Sequence, residues 1–79
     1  MSIDSKVKLA PGETLKEESF RSKGFMGETD IATYSVVDSA GNIVGTVEHT
    51  QHTAVRGFRV TNTLVQRDSQ GNILVDTRW

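Results

Sequence analysis

Residues 38–46 read DSAGNIVGT and residues 68–77 read DSQGNILVDT, so one short phrase recurs after thirty positions. A type I turn favours Asp at its first position and Gly at its fourth. With that Gly in the left-handed region, the turn closes a three-residue hairpin loop. Asp38-Ser39-Ala40-Gly41 and Asp68-Ser69-Gln70-Gly71 both meet these demands. Asn42 and Asn72 follow, residues that tolerate turns, and each leads into an apolar stretch. The repeat therefore predicts two β-hairpins of one design. Turn chemistry accounts for it without a ligand.

With loops at Ser39–Gly41 and Ser69–Gly71 the register follows by counting outward. Val37 would face Ile43, Val36 would face Val44, and Tyr34 would face Thr46. In the second hairpin Arg67 would face Ile73, Gln66 Leu74, Val65 Val75, and Thr61 Trp79. Alternation along a strand then sorts each hairpin into two faces. On this count neither face of either hairpin is cleanly polar, whereas an antiparallel sheet wetted on one side should alternate. Something is therefore expected to cover part of each face.

Two covers are available. One is the N-terminal third, which offers Val7, Leu9, Leu15, Phe20, Phe25 and Met26. Within it, residues 13–22 carry good helix formers between Pro11-Gly12 and Gly24, which predicts a short helix. Leu15 and Phe20 lie five apart, a poor helical stripe, so an additional strand is the alternative. The other cover is a second copy of the chain, since uncovered apolar faces and long free edges invite pairing.

Seventy-nine residues make a single domain, 1–79, near the lower size limit for unaided folding. Small domains usually add a disulfide, a metal or a partner subunit. The chain has no cysteine, which removes the disulfide, the thiolate zinc site and the Cys nucleophile and leaves self-association as the expected staple. The first residues carry no apolar signal-peptide core, and no apolar run approaches the length that spans a membrane. The expectation is a soluble cytoplasmic protein.

Net charge is −1, yet all four basic groups beyond residue 50 are arginines: Arg56, Arg59, Arg67 and Arg78. Arg56-Gly57-Phe58-Arg59 sets two guanidinium groups around a ring, a combination that single-stranded nucleic-acid binders use. Solvated strand faces explain the same scatter, and the near-neutral total weakens any electrostatic footprint. His49 and His52, beside Glu48, could begin a metal or small-ligand site at residues 48–57. Zinc needs three or four such ligands, and residues three apart on one strand point to opposite faces unless the chain bends at Thr50 or Gln51. Trp79 in strand phase suits either core packing or an interface anchor. No nucleophile-elbow pattern or Gly-rich phosphate loop is present, so no enzyme, cofactor or metal is expected.

The sequence thus predicts a mainly β domain. It is a four-stranded antiparallel meander of two similar hairpins, with strands near 31–37, 43–50, 56–67 and 73–79 and an N-terminal helix or strand packed on or beside it. Its expected role is a non-enzymatic binding or assembly module acting as a homodimer. Arg56, Phe58, Arg59, Leu74, Arg78 and Trp79 are the expected interface or partner contacts, with Val60 and Leu64 beside them in the buried set. Polyanion binding through Arg56, Arg59, Arg67 and Arg78 is the alternative.

Overall fold

The structure, a computed structural model, describes residues 3–24, 28–57 and 59–79. Phe25, Met26 and Phe58, named above for the cover and the interface, lie outside the described residues. Five strands run β1 (Thr14–Lys23), β2 (Thr29–Val37), β3 (Ile43–Thr53), β4 (Val60–Asp68) and β5 (Ile73–Arg78). They form one antiparallel sheet in the order β1-β2-β3-β4-β5. The mainly β class and the meander hold. The N-terminal element is the additional strand that stood as the alternative to a short helix, making five strands.

The helix expected over 13–22 is strand β1. Pro11 and Gly12 do not start a helix; they form a type II turn in which the Glu13 N–H donates to the Ala10 carbonyl and Gly12 holds φ +86°. Pairing with β2 overrides the helix propensity of Lys16, Glu17 and Glu18. The five-residue spacing of Leu15 and Phe20 has a strand explanation. The register slips between Glu17 and Ser19, and this bulge returns Phe20 to the face of Leu15. Opposite them lie Val36 and Ala32, only four apart on β2.

Both hairpin loops form as expected. Gly41 and Gly71 take φ of +87° and +86°, and their N–H groups donate to the Asp38 and Asp68 carbonyls. The Asp38 Oδ1 accepts from the N–H of Ala40 and of Asn42, and Asp68 repeats this with Gln70 and Asn72. These donors, led by the Asn42 and Asn72 N–H, hold both carboxyls below their ordinary range.

Beyond the first pair, the expected register is wrong by one residue. Val37 does face Ile43 and Arg67 faces Ile73, but Val36 then faces Gly45 and Gln66 faces Val75. Val44 and Leu74 are the extra residues of two matching bulges. Each bulge moves the rest of its strand to the opposite face from the one counted. Tyr34 therefore faces Val47 rather than Thr46, Val65 faces Asp76, and Trp79 exchanges main-chain bonds with Asn62 rather than facing Thr61.

The correction resolves the two-faced pattern. One face, here the inner one, carries Leu15, Ala32, Tyr34, Val36, Val47, Leu64, Val75 and Trp79; its core is Val36, Val47 and Leu64. The other holds most of the hydroxyls and charge, Thr33, Ser35, Thr46, Glu48, Thr50, Thr63, Arg67, Asp76 and Arg78, together with the apolar Ile31, Val37, Ile43, Val65 and Ile73. The core lies on the inner face, and the N-terminal segment supplies part of its cover. Ile3 and Val7 pack on the core. Gln66, buried in the middle of that face, clasps the backbone of Lys8: its Oε1 accepts from the Lys8 N–H and its Nε2 donates to the Lys8 carbonyl, both at 2.8 Å. The amide thus acts as a single β-bridge between the sheet and its cover.

Candidate interaction surfaces

Trp79 lies just past β5, yet its N–H and carbonyl still pair with Asn62 at 3.0 and 2.8 Å. Its ring, half-buried on the inner face, stacks on His49 with centroids 5.6 Å apart and planes 6° from parallel. The Lys6 ammonium lies 4.9 Å from the indole centroid, a cation–π contact from the N-terminal cover. His49 Nε2 is 2.9 Å from Asn62 Oδ1, which also accepts from Gln51 Nε2 at 3.4 Å. Sheet, cover and chain end meet at this indole. Sequence reasoning marked His49 for a metal or small ligand rather than for this stack. It missed Asn62 and Lys6, because the bulge that sets Trp79 opposite Asn62 carries no chemical mark.

The other expected contacts separate along the sheet. Arg56 is exposed in the turn between β3 and β4, and Arg59 is exposed just before β4, its carbonyl accepting from the Ala54 N–H. Arg78, opposite Thr63, lies toward this same end on the outer face. Arg21 and Lys23 reach that end from β1, opposite Ile31 and Thr29. Arg67 and Leu74 lie toward the other end, next to the second hairpin loop. Arg67 is about 13 Å along β4 from the residue that faces Arg78. The four arginines therefore do not form one cluster; Arg56, Arg59 and Arg78 share an end without Arg67.

The segment considered for a metal or small-ligand site, residues 48–57, is strand as far as Thr53. No bend intervenes at Thr50 or Gln51, so His49 and His52 point to opposite faces, with His52 hydrogen-bonded through Nδ1 to the Thr29 hydroxyl. Among the described residues no three His, Cys, Asp or Glu side chains converge on a point.

The outer face holds a shallow concavity of about 390 Å³ lined by Glu18, Thr33, Ser35, Thr46, Glu48 and Arg67, with Tyr34, Val47 and Val65 also in its lining. Its rim is polar: the Ser19 and Thr33 hydroxyls bond to one another, and neither Glu48 nor Arg67 makes an ion pair among the described residues. Small-molecule sites are usually apolar with a few polar groups. Here the lining is mixed, charged and hydroxyl groups beside apolar surface that includes Val65, and the walls are one side of a sheet.

The two sheet edges differ. β1 has a bulge and five charged residues, Lys16, Glu17, Glu18, Arg21 and Lys23, devices that discourage edge pairing. β5 has six residues, two of them charged, and exposes Ile73 and Leu74. No described helix is long and apolar enough to cross a membrane. No protein-family model, no curated protein and no solved structure matches the chain.

Proposed function

We propose that the protein is a non-enzymatic binding or assembly module that acts as a homodimer through its β-sheet. The observation that carries this reading is the surface left by a single-layer sheet. The chain exposes 5501 Å², where a compact chain of its mass exposes about 4,700 Å². Its radius of gyration of 13.7 Å likewise exceeds the roughly 12 Å of a compact domain. The excess, roughly 800 Å², is surface that a single-layer sheet leaves open to a second chain. Apolar side chains remain uncovered on the described surface, Phe20 and Val60 on the inner face and Ile73 and Leu74 on β5.

Molar mass by size exclusion with light scattering, from micromolar to millimolar chain, tests the reading. A mass rising toward two chains is expected. A mass of one chain throughout would overturn it.

A second reading is favoured by one grouping. Arg21, Lys23, Arg56, Arg59 and Arg78 gather toward one end of the sheet, an arrangement suited to a polyanion. It predicts binding to single-stranded nucleic acid that weakens steeply with salt and is lost on changing Arg56 and Arg59 together. Binding indifferent to salt, or to those two changes, would dismiss it.

A further inference from the structure

We propose that two copies of the chain join along the outer edge of β5, antiparallel and two-fold symmetric about Thr77. This names the interface of the homodimer proposed above and rests on that reading.

The phase of the hydrogen bonds sets the rules. Asn62 and Trp79 exchange both main-chain bonds, and in an antiparallel ladder such pairs recur at every second residue. Thr77 and Val75, opposite Leu64 and Gln66, therefore turn their N–H and carbonyl groups inward as Trp79 does. Asp76 and Arg78 turn theirs outward. Both residues are exposed, and among the described residues nothing pairs with that side of β5.

A second β5 can bond to this edge only where outward residues meet outward residues. Few two-fold registers satisfy that. An axis at Asp76 sets carboxylate against carboxylate, and an axis at Arg78 sets guanidinium against guanidinium. An axis at Val75 would pair Asp76 with Leu74, the extra residue of the bulge. An axis at Thr77 places each Asp76 opposite the partner's Arg78 and each Arg78 opposite the partner's Asp76, completing four main-chain hydrogen bonds. Opposite charges facing across strands stabilise a pair, and like charges oppose it. On the inner face the same register sets Val75 beside the partner's Trp79. One edge thus complements itself in hydrogen bonding, charge and apolar contact, as a two-fold interface requires. The product is a continuous ten-stranded sheet, assembled by strand addition. A contact of six residues a side belongs to the weak, concentration-dependent class.

Charge exchange tests the register on the full chain by sedimentation velocity at low salt. Asp76→Arg alone and Arg78→Asp alone should each weaken dimerisation by roughly tenfold. An equimolar mixture of the two variants should dimerise again, because each heterodimer restores both opposite-charge pairs. The double exchange within one chain should do the same. Circular dichroism checks that each variant is folded. Oxidising Thr77→Cys should give a covalent dimer. The two Thr77 would face one another as a non-hydrogen-bonded pair, with Cα atoms about 4.5 Å apart, within disulfide range. Adding Asp76→Arg should suppress that cross-link. If both single variants dimerise as the parent does, or the mixture stays monomeric, the register is wrong and the homodimer reading survives. If the parent itself is monomeric at every concentration, both fall.

Discussion

The two hairpins share one loop and live in different surroundings. At Asp38 and Asp68 the carboxylate bonds agree within 0.1 Å, Asn side-chain contacts included, and the same bulge follows two residues after each Asn. Beyond the bulge the copies diverge. Gly45 and Val75 are equivalent, but β3 is paired on both sides and β5 on one. A Cβ on Gly45 would lie 2.6 Å from the Arg67 carbonyl oxygen. Val36 and Gln66 are equivalent and equally buried, yet one joins the core and the other holds the N-terminal cover. The loop and its bulge are local and repeat. The side chains that follow answer to the neighbouring strand.

Exchanging residues at equivalent positions should show which differences matter. The largest effect is expected for Gly45→Val. Its Cβ meets main chain, which cannot rotate away as a side chain would, so a destabilisation of about 3 kcal/mol is expected in denaturant unfolding. The reverse change, Val75→Gly on the half-buried edge strand, should cost only about 1 kcal/mol. Equal costs would mean that β3 and β5 are constrained alike.

Gln66→Val comes next. It makes the second hairpin resemble the first and removes both bonds to Lys8. A loss of about 2 kcal/mol is expected, together with faster hydrogen exchange over residues 5–8. Unchanged exchange there would mean that Ile3 and Val7 hold the cover without the clasp.

The repeat made the two loops legible because Asp, Gly and Asn each have a stereochemical reason for their place. The bulges were not legible. Val44 and Leu74 are apolar like their neighbours, and nothing in their chemistry marks them as the extra residues. One missed residue per hairpin inverted the second strand and mixed two faces that are in fact distinct. In β1 the bulge also disguised a strand, since Leu15 and Phe20 fit neither a helix nor an uninterrupted strand. Gln66 reads as a surface residue by type, although its equivalence to Val36 was visible in the thirty-residue offset. Among the expected contacts, the strand phase of Trp79 was legible, while its stack on His49 depended on the corrected register. Arg56 and Arg59 could be placed near the β3–β4 connection, but not beside Arg78 and apart from Arg67.

Acid should separate the hairpins most gently. Asp38 and Asp68 both have carboxyls lowered by the N–H donors of their own loops, those of Asn42 and Asn72 first. A carboxyl whose pKa is lower in the folded chain adds stability in full above its ordinary value, and that stability is lost as pH falls through the lowered one. Unfolding monitored from pH 6 downward should therefore hold level until about pH 4 and then decline. Asp38→Asn and Asp68→Asn should each flatten part of that decline, since the amide has no proton to gain. The cost at neutral pH should differ between them. Opening the first loop parts β2 from β3, where Val36 and Val47 form the core, whereas opening the second frees only the exposed edge strand. Asp38→Asn should thus lower the melting temperature of the whole domain. Asp68→Asn should mainly speed hydrogen exchange in β5 and, if β5 carries the dimer contact, weaken association before stability. Equal shifts in melting temperature would show that the edge hairpin is as much a part of the cooperative unit as the central one.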